Sequence, residues 1–262
     1  MGDLKALIFD VDGTLAETER DAHRVGFNQA FEEAGLEDRW DAELYGELLA
    51  VPGGKERIRH YWTQYKGEPD PDWEWVKGLH ERKAEIYTER IRDGLVPPRS
   101  GILRLLGEAR EAGVRLAIAT TTTRAPLMEL LAHTLAPEAA DWFEVIVAGD
   151  EVAEKKPSPD AYHKAVADLG LPAEQCLAVE DSPPGVEAAV ATDLPVIVTT
   201  SEYTREREFP GALAVFDRLG EPDSDPARRL AGGAPLPEHG AVDLAYLREL
   251  FASRVADREA EA

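Results

Sequence analysis

From residue 98 onward the chain alternates between short apolar, β-forming runs and helical segments, and this rhythm constrains the fold more than any other feature. Residues 102–112 have helical spacing and stop at Gly113. Residues 114–120, 145–148, 176–179 and 195–199 read as strands, and 125–135, 159–169 and 184–191 as the helices between them. Such an alternation builds a parallel sheet covered by helices on both faces. An earlier apolar run, residues 4–9 (LKALIF), reads as one more buried strand, feeding directly into an acidic segment with a glycine. Residues 17–36 are expected to be helical. Residues 37–97 break the rhythm: they carry four of the five tryptophans (Trp40, Trp62, Trp73, Trp75), lack Val/Ile-rich runs, and hold a long candidate helix over 72–92 before Pro97-Pro98. The expected architecture is therefore α/β: a doubly wound, Rossmann-like parallel sheet core formed by residues 1–16 and 98–262, with an inserted helical cap domain over 17–97. Residues 220–240, rich in Pro, Gly and Ala, are expected to be loop, and 241–258 a last helix.

Ligands of open parallel sheets bind beyond the C-terminal strand ends. The first strand is followed by Asp10, Asp12 and Thr14, and the strand at 114–119 by the run Thr120-Thr121-Thr122-Thr123. The strand at 145–148 leads to Gly149-Asp150 and on to Lys155-Lys156-Pro157, and the strand at 176–179 to Glu180-Asp181. Carboxylates, hydroxyls and a lysine at four strand ends are the groups that hold a hard cation and a phosphate. Two carboxylates two residues apart point to opposite faces of a continuing strand, but Gly13 breaks this one and lets Asp10 and Asp12 enter one cleft. One then serves as nucleophile, the other as proton donor and acceptor. Asp181 and Glu180 are candidate metal ligands beside Asp10 and Asp12, although Asp181 or Ser182 at a helix start also reads as an ordinary cap. Thr120 offers a hydroxyl to a phosphate oxygen, with Thr121 and Thr122 supplying donors behind it. Of the two lysines, Lys156 is favoured as the counter-charge, because Pro157 restricts its backbone.

The formal net charge of −22 excludes a nucleic-acid binder that works by phosphate neutralisation and disfavours an anionic membrane. It also repels a phosphate-bearing substrate, so a local positive field from lysines, arginines, helix N-termini or a metal has to overcome it. The single cysteine, Cys176, rules out an intrachain disulfide. The opening Met1-Gly2-Asp3-Leu4-Lys5 lacks the apolar length of a secretory signal, and no run reaches the roughly 18 residues of a membrane span. The chain reads as a cytoplasmic protein, expected to be a monomer.

The four signatures Asp10-Val11-Asp12-Gly13-Thr14, Thr120, Lys156-Pro157 and Glu180-Asp181-Ser182, in that order, resemble the haloacid dehalogenase-like hydrolase superfamily, and the helical insert resembles the cap of its β-phosphoglucomutase-like members. That resemblance implies Mg²⁺ as cofactor, held by Asp10, the Asp12 main-chain oxygen and Asp181. It makes Asp10 the nucleophile of an aspartyl-phosphate phosphatase and Asp12 the general acid/base, assisted by Thr120 and Lys156. The stretches 10–19 (DVDGTLAETE), 53–58 (GGKERI), 117–122 (AIATTT) and 152–160 (VAEKKPSPD) further resemble the CbbY group. That narrower resemblance implies a Calvin-cycle sugar phosphate substrate, xylulose 1,5-bisphosphate, with Glu17, Gly53, Gly54, Lys55, Arg57 and Lys83 in its recognition. The chain departs from its relatives at Ser100-Gly101 and Thr192-Asp193 and in the spacing from Glu19 to His23. A phosphomutase and a non-catalytic sugar-phosphate binder remain alternatives.

Overall fold

The computed structural model describes residues 3–51 and 53–261, with side chains through Arg254; Met1, Gly2, Pro52 and Ala262 lie outside the described residues. The chain divides into two compact units, Met1–Glu17 with Pro97–Ala262, and Thr18–Val96.

In chain order, the first unit opens with β1 (Ala6–Phe9). The second unit contains α1 (Arg24–Glu33), entered through a wider helical turn at Glu19–His23, then α2 (Ala42–Leu48), α3 (Gly54–His60) and α4 (Trp73–Arg92). The first unit resumes with α5 (Ile102–Glu111), β2 (Arg115–Ala119), α6 (Arg124–Leu130), β3 (Val145–Val147), α7 (Asp160–Leu169) and β4 (Cys176–Glu180). It ends with α8 (Pro183–Val190), β5 (Val196–Thr199), β6 (Ala214–Phe216), β7 (Arg229–Gly232) and α9 (Leu244–Glu261).

The strands form one sheet in the order β3-β2-β1-β4-β5-β6-β7. All pairs are parallel except β6 with β7. The central strands are buried throughout, as continuous apolar runs such as Ala6–Phe9 and Val196–Thr199 require. On one face Ala6, Ile8, Ala117, Ala119, Ala178 and Val198 pack with Ala161, Tyr162 and Ala165 of α7 and Val186 and Ala189 of α8. Small residues on the strands let these helices approach closely. The sheet matches the parallel core expected from the strand–helix rhythm, with two additions. The rhythm did not mark β6, and β7 lies inside residues 220–240, expected to be loop. β7 is exposed along its whole length, so no alternation of apolar residues announces it; it is held as an antiparallel edge by its ladder with β6.

Chain direction reverses at β1: the path runs outward to β2 and β3, then returns to β4 on the other side. The register levels the strand ends there, with Phe9 opposite both Ile118 and Val179. Asp10, Thr120 and Glu180-Asp181 consequently leave the sheet at the switch point, where doubly wound folds bind ligands.

The second unit is built around an aromatic core. Trp40 and Tyr45 are fully buried. Trp40 packs against Phe27, Phe31 and Tyr61 at centroid distances of 4.7, 5.0 and 5.4 Å. Asn28 pins this tryptophan's backbone with hydrogen bonds of 2.7 and 2.8 Å. α4 starts as expected, with the Asp72 carboxylate accepting from the Glu74 and Trp75 amides. Among the described residues no helix is long and apolar enough to cross a membrane.

Candidate active site

At the centre of the first unit lies Lys156. Its ammonium donates to Asp10 Oδ1 at 2.7 Å, Glu180 Oε1 at 2.6 Å and the Ala119 carbonyl at 2.8 Å. Its side chain is 4% exposed, whereas neighbouring Lys155 is exposed. Tyr162, on α7, donates to Glu180 Oε1 at 2.7 Å and places its ring 4.7 Å from the ammonium. The other Glu180 oxygen accepts from the Asp181 amide at 3.1 Å and the Ser182 hydroxyl at 3.3 Å. Ser182 caps α8 in turn by accepting from the Gly185 amide. Glu180 therefore has both oxygens engaged within the protein, as the anchor of Lys156.

Asp10, Glu180 and Asp181 are all buried and bring carboxylate oxygens within 4.8 Å of one another. Burial, then the Glu180 charge, lifts the Asp10 carboxyl from 3.8 to about 7 against the opposing pull of Lys156. Burial, then the charges of Asp10 and Glu180, pushes Asp181 well above its ordinary value. Burial works against the charge on Lys156, but Asp10 and Glu180 outweigh it and hold the ammonium above its usual value. Three crowded carboxylates with one ammonium between them form an electron-rich, all-oxygen pocket. Its chemistry suits a hard divalent cation of the Mg²⁺ type and offers nothing to a metal that seeks nitrogen or sulfur.

Gly13 makes that crowding possible. Its φ is +86°, and a Cβ there would lie 2.3 Å from Asp181 Oδ2. Gly13→Ala is expected to cost about 1–3 kcal/mol of stability through backbone strain alone and to push Asp181 out of place. Chemical denaturation, with Mg²⁺ titrated calorimetrically on the folded fraction, checks both effects.

Asp12 follows the bend, and its Oδ2 accepts from the Thr122 hydroxyl. Thr122 also donates its amide to Thr120 Oγ1 at 3.1 Å, leaving the Thr120 hydroxyl proton for an incoming oxygen. Thr121, half-buried, lies between them. Glu17, expected to meet substrate, pairs with Arg99 at 3.3 Å and accepts from the Glu202 amide at 3.2 Å.

In the second unit, Lys83 is buried, hydrogen-bonded to His23 Nδ1, and lies 5.0 Å from the Phe27 ring centre. Lys55 stands 5.5 Å from the Trp73 ring centre. Burial, then the charges of Lys83 and Lys55, drives His80 down to about 4, so it is neutral at pH 7. Gly54 abuts this histidine: a Cβ there would come 2.5 Å from His80 Nε2. Gly54, Lys55, His80 and Lys83 thus share one basic locality. Gly53, exposed, begins α3 with φ +89°. Arg57, expected in substrate recognition, is turned into the second unit. It is buried, donates to the Leu48 and Val51 carbonyls at 3.1 and 3.3 Å and to the Tyr45 hydroxyl at 3.1 Å, and so braces the chain between α2 and α3. Tyr162, His80 and Arg99 were given no role from the sequence, although Tyr162 stands six residues past Lys156 and His80 three before Lys83.

The haloacid dehalogenase-like hydrolase family profile matches residues 7–199. The chain belongs to that family. It is 46% identical over 251 residues to "Protein CbbY, plasmid" of Cupriavidus necator, covering 94% of this chain and 96% of that protein. It is 49% identical over 211 residues to CbbY of Rhodobacter capsulatus, covering 80% and 91%. Among solved structures it resembles a mutant of CbbY from Rhodobacter sphaeroides in complex with xylulose-(1,5)bisphosphate, with TM-score 0.72 and 43% identity over 84% of this chain and 96% of that one. β-Phosphoglucomutase from Clostridium difficile shares the fold, with TM-score 0.69 at 16% identity.

Proposed function

We propose that this family hydrolase is a Mg²⁺-dependent phosphatase that acts through an aspartyl-phosphate on Asp10, with a pentulose bisphosphate, xylulose 1,5-bisphosphate, as its substrate. The observation that carries the reading is the buried Asp10–Lys156–Glu180 arrangement at the switch point, with Asp12 two residues on and Asp181 beside it. The CbbY relatives, one of them in complex with xylulose-(1,5)bisphosphate, support the choice of sugar.

Asp10 attacks phosphorus, and the carboxyl of Asp12 gives its proton to the departing sugar oxygen. Asp12, now a carboxylate, takes a proton from water as that water attacks the Asp10-bound phosphorus, freeing inorganic phosphate and restoring Asp10. Lys156 favours the ionised form of Asp10 and offsets charge on the phosphoryl oxygens; the Thr120 hydroxyl donates to one of them. Thr122 holds the Asp12 carboxylate in a fixed orientation. Asp10, Asp181 and the Asp12 main-chain oxygen would hold Mg²⁺, which when bound neutralises phosphoryl charge. Glu180, with both oxygens engaged, serves as Lys156's anchor rather than as a ligand. Within the second unit, the basic locality of Lys55 and Lys83 is suited to an anionic group.

A panel of pentulose and hexose mono- and bisphosphates, assayed with Mg²⁺ for free phosphate, tests the reading. Turnover of xylulose 1,5-bisphosphate well above the monophosphates is expected; isomerised sugar phosphate without free phosphate would make the protein a mutase.

Metal binding carries its own pH signature. Because the Asp10 pKa is raised from 3.8 to about 7, the metal-free fold bears a cost that is absent near pH 4 and complete above about pH 7. Mg²⁺ displaces that proton, so its apparent affinity is expected to weaken about tenfold per pH unit below 7. Thermal unfolding with and without Mg²⁺ should show a larger gain at pH 8 than at pH 5.5; an equal gain would remove the Asp10 proton from the account.

A further inference from the structure

We propose that Arg99 is the positioning residue of the acid/base loop: one buried guanidinium that fixes the Asp12–Gly13 bend and the Glu17 carboxylate relative to one another. Its side chain is 8% exposed. Nη1 donates to the Gly13 carbonyl, and to the carbonyl and hydroxyl of Thr199 at 3.0 Å each. Nη2 donates to the Thr200 carbonyl at 2.6 Å and the Asp217 carbonyl at 3.1 Å. Nε faces Glu17 Oε1 at 3.3 Å. The planar fork thus engages all three nitrogens, on acceptors from the loop after β1, the ends of β5 and β6, and Glu17.

The first of these acceptors adjoins the proposed acid/base. Gly13 follows Asp12 directly, so the bond to the Gly13 carbonyl anchors the Gly13–Thr14 peptide and with it the chain one residue beyond Asp12. Arg99 also sits where the chain re-enters the first unit: its amide donates to the Leu15 carbonyl at 2.9 Å, and Ala16 bridges Pro98. One side chain therefore ties the segment leading to Glu17 to the segment that follows Val96. A lysine has a single nitrogen with three tetrahedral donors and cannot reproduce a planar fork spread over four segments.

The inference rests on the proposed role of Asp12, and its test keeps the two apart. Arg99→Lys and Arg99→Met are compared with Asp12→Asn for kcat, KM and pH profile on xylulose 1,5-bisphosphate, and for inorganic phosphate binding in Mg²⁺, which needs Asp10, Thr120 and Lys156 but no proton transfer. Both Arg99 variants should lose about 30-fold or more in kcat, with KM moved less than about fivefold and a displaced pH optimum. Phosphate should bind folded Arg99→Lys within about threefold of the parent. Unchanged kcat in both variants, beside an inactive Asp12→Asn, would overturn the role of Arg99. An active Asp12→Asn would overturn the acid/base reading itself. Should Arg99→Met fail to fold, Arg99→Lys decides alone: parallel losses in phosphate binding and kcat would mean a purely structural residue.

Discussion

Asp10→Asn is expected to lower phosphate release by about four orders of magnitude or more while leaving the protein folded. The substitution keeps the shape of the side chain and removes the only atoms that can form the acyl phosphate. It also relieves a strain of the resting site. Asp10 is buried beside Glu180, and its carboxyl is lifted to about 7; a neutral amide ends that cost. The metal-free variant should therefore unfold at a temperature no lower than the parent at pH 8, where the parent carries the full burden. The pairing of lost activity with retained stability distinguishes removal of a nucleophile from collapse of the site. Rapid phosphate detection and thermal unfolding on the same preparations check it.

Lys156→Met should be the most damaging change in the first unit. The ammonium lies 2.7 Å from Asp10 Oδ1 and 2.6 Å from Glu180 Oε1, and Glu180 is fully buried. Methionine leaves two buried carboxylates facing each other without a cation, a loss of about 3–5 kcal/mol, and activity falls with it. The sign of the pH dependence follows. Without Lys156 the Asp10 carboxyl is pushed up further, so the deficit shrinks on acidification toward pH 5 and widens toward pH 8. The double variant Lys156→Met/Glu180→Gln removes one of the opposed charges and should recover much of the stability and none of the turnover. Denaturant titrations at the two pH values measure the deficit. Equal deficits at both would show that packing, not charge, dominates there.

The sheet was legible in the sequence because its strands are buried on both faces, and continuous apolar runs such as LKALIF leave little choice. The reacting groups were legible for a related reason. A parallel fold sends its strand ends to one edge, so whatever chemistry follows each strand is gathered there. Arg99 was not legible, because its partners are main-chain carbonyls at 13, 199, 200 and 217, and a carbonyl has no residue signature. Arg57 had the opposite fault. The family resemblance marked it for substrate recognition, yet nothing in the run GGKERI tells an arginine that turns inward to the Leu48 carbonyl from one that turns out. Glu180 was read with Asp181 as a ligand pair. The geometry keeps Glu180 in the acidic cluster with Asp10 and Asp181 and adds what the sequence did not show, that its two oxygens accept from Lys156, Tyr162, the Asp181 amide and Ser182. β7 escaped because an exposed edge of sequence Arg-Leu-Ala-Gly has no alternation to read.

The central claim is that Asp10 carries the phosphoryl group. It is tested most directly by acid-quenching the enzyme within its first turnover of xylulose 1,5-bisphosphate, reducing with borohydride and mapping the modified residue by mass spectrometry. Conversion of residue 10 to homoserine, at a level that rises before free phosphate appears and is absent in Asp10→Asn, is the result the account requires. Free phosphate forming at full rate with residue 10 never modified, or with the phosphoryl group on another side chain, would contradict it.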